Sequence, residues 1–200
     1  MGDLILLRHG ETEWSLAGRH TGRTDIPLTA HGEAAARALA PVLARRQVAA
    51  VFTSPARRAV TTAALAGLDH AKPDPDLWEW DYGGYEGMTT QQIRDQRPGW
   101  YLWRDGVIGG DAEHPGESVD QVGQRVDRVL ARVTGFAPLL ADGDVVLVAH
   151  AHVLRVLTAR YLGLEPSAGR LFRLDTGTIS TLGTEHDQRV ILSWNVPPAA

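Results

Sequence analysis

The 200-residue sequence predicts an α/β fold: a three-layer sandwich with a mainly parallel central sheet and helices on both faces. Three observations carry that prediction. Asp144–Ala149 is continuously apolar after its first residue and rich in β-branched side chains, as expected of a strand covered on both faces. Short apolar runs alternate with helix-period segments, the order that builds parallel sheets. Two of the runs lead into a histidine, through Arg8 to His9 and directly to His150, and adjacent parallel strands would bring both imidazoles to one sheet edge.

Residues 4–7 form the first strand; the run follows Asp3, stops at Arg8 and is too short for a secretory signal. Residues 10–27 are polar and glycine-containing, a loop long enough to expect function of it. Thr29 then caps an alanine-rich helix from Ala30 to about Arg46. Residues 49–52 make the second strand, and Ser54 as N-cap, Pro55 as first helical residue and Gly67 as terminator delimit the next helix. Another helix starts near Thr89 and stops before Pro98. Ser118 caps a longer one, whose Val119, Val122, Val126, Val129 and Val133 recur at helical spacing and belong to the core. After the strand at 144–149 come a helix over residues 153–162, short strands near 178–182 and 190–194, and a frayed tail at 197–200. With no internal repeat or linker, residues 1–200 are expected to be a single domain.

Composition removes several function classes. There is no cysteine, which excludes disulfides, thiolate metal sites and cysteine nucleophiles and suits a reducing compartment, so the expected location is cytoplasmic. The net charge of -4 argues against a nucleic-acid partner, and no run is long enough to cross a bilayer.

Arg8 and His9 together suggest phosphoryl chemistry: an arginine offers a rigid fork of donors to an oxyanion, and a neighbouring imidazole can attack phosphorus. Arg58 falls in the first turn of a helix, where free backbone amides already favour an anion. Glu79, Asp81 and Glu86 each offer a carboxyl group to a pocket, and the residues alone leave these three open. Thr21–Gly22 is equally a ligand contact or a turn. His150 and His152 form a His-x-His pair, but a catalytic metal needs three convergent ligands and the expected arginines would repel a cation, so no metal is expected. Catalysis, capping and packing explain His152 equally well.

These junctions together resemble the histidine phosphatase superfamily, which includes cofactor-dependent phosphoglycerate mutases. The family pattern Thr-Ser-x-x-x-Arg-Ala matches Thr53, Ser54, Arg58 and Ala59, which implies Arg58 rather than Arg57 as the phosphate contact. The segment from Leu77 to Gly87 is similar to the family's acid-bearing segment, with the glutamate four residues before the first glycine, which implies Glu79 as proton donor. Ala149-His150-Ala151-His152 stands where the family usually has Ser-His-Gly or Ala-His-Gly; small Ala151 preserves close backbone approach. The resemblance implies a phosphoglycerate mutase-like fold and attack by neutral His9 on a phosphate monoester. Arg8, Arg58 and His150 would stabilise the equatorial oxygens, Glu79 would protonate the leaving alkoxide, and water would cleave the phosphohistidine without a cofactor. A general acid that must be protonated implies an acid-leaning optimum.

The closer resemblance is to the phosphatase branch that includes sedoheptulose bisphosphatases and broad acid phosphatases. It is carried by Thr12-Glu13-Trp14-Ser15, by Thr21-Gly22-x-Thr24-Asp25, by Trp100-x-x-Trp103-Arg104-Asp105-Gly106 and by Gly116-Glu117-Ser118. Mutases carry Trp-Arg-Arg-Gly, whereas Asp105 replaces the second arginine here and would repel a carboxylate. Small phosphomonoesters, sugar phosphates among them, are the implied substrates. Ser15, Thr21, Gly22 and Ala151 are the implied contacts, with Arg104 for a distal polar group. A cofactor-dependent phosphoglycerate mutase and an inactive phospho-ligand-binding module are the alternatives, and monomer and homodimer stay open.

Overall fold

The computed structural model describes residues 2–134 and 139–198; Ala199 and Ala200, the end of the expected tail, lie outside them. Its centre is a six-stranded sheet built from β1 (Leu4–Arg8), β2 (Val48–Thr53), β3 (Lys72–Pro73), β4 (Asp144–Ala149), β5 (Ile179–Glu185) and β6 (Gln188–Val196). The strand order is β3-β2-β4-β1-β5-β6. The pairs β1–β4, β2–β4 and β2–β3 are parallel, whereas β5 and β6 are antiparallel. All six residues of β4 are buried, which is why that strand reads as one apolar run.

Alternation along the strands divides the core. Leu4, Leu6, Val145 and Leu147 face one layer, made by α6 (Val119–Thr134), α7 (Ala151–Tyr161) and the tryptophans 80, 100 and 103. Ile5, Leu7, Val146 and Val148 face the other, against α2 (Ala30–Leu43) and α3 (Arg57–Leu65). Four smaller features escape the sequence patterns. A helical turn, α1 (Glu13–Leu16), sits inside the long loop, closed by a reciprocal cap between Thr12 and Ser15. The helix α4 (Thr90–Gln96) is followed by a one-turn α5 (Leu102–Asp105). The β5–β6 hairpin turns through His186 and Asp187, both at positive φ. The helix α2 stops at Leu43 rather than Arg46, because Arg45 and Arg46 bond back to Val42 and Leu43, a tighter turn than α.

Ser54 does not cap α3, whose N-cap is Ala56; its hydroxyl is engaged by His150. Among the described residues no helix is long and apolar enough to cross a membrane. Leu147 has no exposed surface and sits mid-sheet between two strands, so Leu147→Ala should cost about 2–5 kcal/mol of unfolding free energy. Urea denaturation checks this, and a loss below about 1 kcal/mol would contradict the packing described.

Candidate active site

The register of the central pair positions the site. Arg8 lies opposite Ala149, and the His9 amide donates to the Ala149 carbonyl at 2.9 Å, so His9 and His150 leave the same sheet edge side by side. Their rings meet edge to face with centroids 5.0 Å apart. Nδ1 of His9 lies 2.7 Å from the Gly10 carbonyl oxygen. A carbonyl only accepts, so the ring proton sits on Nδ1 and the lone pair on Nε2. Burial, then Arg58 and Arg8, hold the His9 pKa well below the ordinary histidine value, which keeps that lone pair free.

His150 is fully buried and its pKa is lowered well below the ordinary value by burial, then by Arg58 and His9. Its Nδ1 accepts from Arg58 Nε at 3.1 Å, so its proton is on Nε2, 2.7 Å from Ser54 Oγ. The remaining Arg58 bonds go to main-chain carbonyls of the long loop: Nη1 to Thr24 at 2.8 Å, Nη2 to Gly22 at 2.8 Å and to Thr21 at 3.2 Å. Arg58 and His150 are not among the residues that line the cleft, but the His150 ring adjoins His9 and the arginine ties the loop to that ring.

Six of the expected residues do line one cleft of about 190 Å³: Arg8, His9, Ser15, Thr21, Glu79 and Ala151. Arg8 donates through Nη1 to the Leu174 carbonyl at 2.5 Å, while its buried Nε has no partner among the described residues. Ser15 Oγ is held by Thr12, and Thr21 Oγ1 donates to the Arg19 carbonyl. Gly22 is not on the wall. Its amide donates to Glu86, and a Cβ there would come within 2.7 Å of the Trp80 carbonyl, so glycine is required for the loop to pack. Arg104 is not in the cleft either; its exposed guanidinium is taken by Asp105 and the Gly99 carbonyl.

The three carboxyl groups that the residues left open are separated by their backbone donors. Glu79 accepts from the amides of Trp80, Val153 and His152 at 2.8, 2.9 and 3.0 Å, at the start of α7 and beside His9. Asp81 accepts from Gly83 and Gly116, and Glu86 from Gly22 and Thr24, so those two hold loops. Beyond the expected set the cleft is lined by Gly18, Arg19, His20, Tyr82 and His152. The Tyr82 hydroxyl, kept protonated by burial, is hydrogen-bonded with His152 Nδ1 at 2.6 Å. Spacing pointed to His152 but left its role open; nothing in the spacing pointed to Tyr82. The His150 and His152 rings thus serve different partners, and no group of three His, Asp or Glu among the described residues is placed to hold a metal ion.

A second cavity of about 270 Å³ shares His20 and His152 with the cleft and is walled by Trp100 and Trp103, with Arg94 and Arg155 at its rim. Burial lowers the pKa of His152 as it does for His9 and His150. The folded chain then binds fewer protons than the unfolded one below pH 6.5, so stability present above that value is lost as pH falls through it. Each histidine should cost about 1.4 kcal/mol per pH unit. Denaturation at pH 5 to 7 should show this slope, reduced by about one proton in His152→Gln; an unchanged slope would contradict the buried neutral ring.

Comparison with known proteins agrees with this geometry. The family model described as histidine phosphatase superfamily (branch 1) matches residues 4–197. An acid phosphatase of Mycobacterium tuberculosis is 40% identical over 188 residues, covering 93% of this chain and 88% of that protein. A sedoheptulose 1,7-bisphosphatase of Saccharomyces cerevisiae is 35% identical over 189 residues, covering 80% and 67%. A solved open reading frame product of Mycobacterium tuberculosis superposes with a TM-score of 0.90 at 37% identity over 99% of both chains. The paired strand-end histidines and the family match over residues 4–197 give one result: this chain belongs to the histidine phosphatase superfamily, branch 1.

Proposed function

We propose that the chain is a metal-independent hydrolase of small phosphomonoesters that works through a phosphohistidine on His9. The observation that carries this reading is a neutral histidine with a free Nε2 lone pair in the same cleft as an arginine whose buried Nε lacks a partner. An anion supplies the missing partner. Nε2 attacks phosphorus as the ester P–O bond breaks, and Glu79 gives its proton to the departing oxygen. Water then attacks the phosphorus, its proton passes to Glu79, the N–P bond breaks and phosphate leaves. Arg8 takes charge on the equatorial oxygens, with Arg58 and His150 beside His9 as the further groups that stabilise it.

The second cavity is where the leaving group belongs, since it adjoins the cleft at His20 and His152. Its indole walls suit the apolar face of a sugar. Arg155, stacked 4.8 Å from the Trp103 centroid and donating to the Gly169 carbonyl, takes over the distal contact first expected of Arg104. The names of the acid phosphatase and sedoheptulose bisphosphatase relatives support a sugar phosphate or related metabolite. Because Arg104 is paired with Asp105, the arginine clamp of a mutase is missing, which favours hydrolysis over mutase activity. Residues as far apart as Arg8 and Arg155 face this joined space, which supports reading residues 1–200 as one domain.

Acid-quench labelling with a phosphomonoester in the presence of chelator should give an acid-labile phosphoryl group on the native protein and none on His9→Ala. The His9→Ala kcat/KM should fall by at least about 1,000-fold; retained turnover would overturn the reading. Loss of a charge-assisted bond of about 1.5–3 kcal/mol predicts that Arg155→Gln weakens kcat/KM about 10- to 100-fold for a sugar phosphate with a second anionic group. A comparison substrate with an uncharged tail, such as glycerol phosphate, should change little, and equal losses on both would contradict the distal role.

A further inference from the structure

Behind the acid-bearing segment, on the side away from the cleft, lies a buried ion pair that the mechanism does not use. Arg125 projects from α6 and is only 6% exposed. All five of its N–H donors are occupied. Nε and Nη2 donate to the two oxygens of Glu117 at 2.8 and 2.9 Å, a fork-to-fork pair. The other three donors go to main-chain carbonyls of consecutive or nearly consecutive residues: Nη1 to Asp76 at 2.8 Å and Trp78 at 2.6 Å, and Nη2 to Glu79 at 3.1 Å. Glu117 holds the same segment from its other end. Its carboxylate accepts from the Asp81 amide at 2.9 Å, and its carbonyl accepts from Trp80 Nε1 at 2.8 Å.

Residues 78–82 form no helix or strand, so this main chain has no ladder of its own to fix it. We propose that the Arg125–Glu117 pair is a positioning device for the Glu79 carboxyl group: it fixes the Glu79 peptide from behind while the α7 amides fix the carboxylate from in front. Neither residue lines the cleft. The inference rests on Glu79 being the general acid. A lysine at 125 keeps the charge but not the planar fork, and cannot reach three carbonyls and a carboxylate together.

The test compares two substrates on the same preparation. Glycerol phosphate releases an alkoxide that needs a proton, whereas p-nitrophenyl phosphate releases a phenolate that leaves without one. The ratio of their kcat/KM values is independent of how much of a variant is folded, so it separates positioning from stability. Glu79→Gln should lower the ratio about 100-fold. Arg125→Lys should lower it about tenfold or more, Glu117→Gln should move it the same way, and Glu79→Gln combined with Arg125→Lys should fall no further than Glu79→Gln alone. A ratio lowered by Glu79→Gln but unchanged by Arg125→Lys and Glu117→Gln overturns the positioning role alone. A ratio unchanged by Glu79→Gln as well overturns the acid assignment on which that role depends.

Discussion

The parallel pairing of β1 with β4 is the constraint on which the site depends. Residues at matched ends of adjacent parallel strands share one sheet edge, and the register Arg8 opposite Ala149 sets His9 next to His150. A one-residue slip would do more than displace one ring. It would turn the alternating side chains of β1 from one core layer to the other, sending Leu4 and Leu6 away from the tryptophan-rich layer they fill. Core packing therefore protects the geometry of the chemistry.

That geometry concentrates positive charge where water is scarce. Arg8 and Arg58 are both desolvated, and burial lowers the pKa of each. The fold meets this cost unevenly. Arg58 is surrounded by three loop carbonyls and the His150 ring, so its charge is solvated by the protein itself. Arg8 has one carbonyl and one unmet Nε, and its side chain lines the same cleft as His9. Keeping both histidines neutral limits repulsion and preserves the nucleophile, so the same burial serves stability and reactivity.

What the sequence shows and hides follows from the range of the interactions. The strand-end histidines are legible because a strand is recognised by its own residues and its end is local. Glu79 could be separated from Asp81 and Glu86 only by resemblance, since the three differ in which distant amides come within reach: those of α7, of residues 83 and 116, or of the loop at 22 and 24. Arg104 misled because its motif spacing is intact while its next neighbour, Asp105, captures the guanidinium. Ser54 looked like a helix cap because capping chemistry and a hydroxyl under a buried imidazole require the same residue type. Arg125 gave no signal, for three of its five donors go to carbonyls, which every residue has, and its pairing with Glu117 depends on where the segment before α6 folds.

The helix α7 joins these levels. Its first turn supplies the amides that hold Glu79, its second residue carries the imidazole between the two cavities, and Arg155 follows three positions later on the same face. Proton donation and recognition of the leaving group thus share about one turn of one helix. A substitution that shifted this turn to enlarge the second cavity would also move the amides that fix the carboxylate. Changes of substrate are therefore easier from the opposite wall, where Trp100 precedes α5 and Trp103 lies within it, and where movement leaves the α7 amides untouched. The segment between Gly87 and Gly116 is thus the freer wall of the second cavity, because the helix facing it cannot shift without moving the Glu79 carboxyl group.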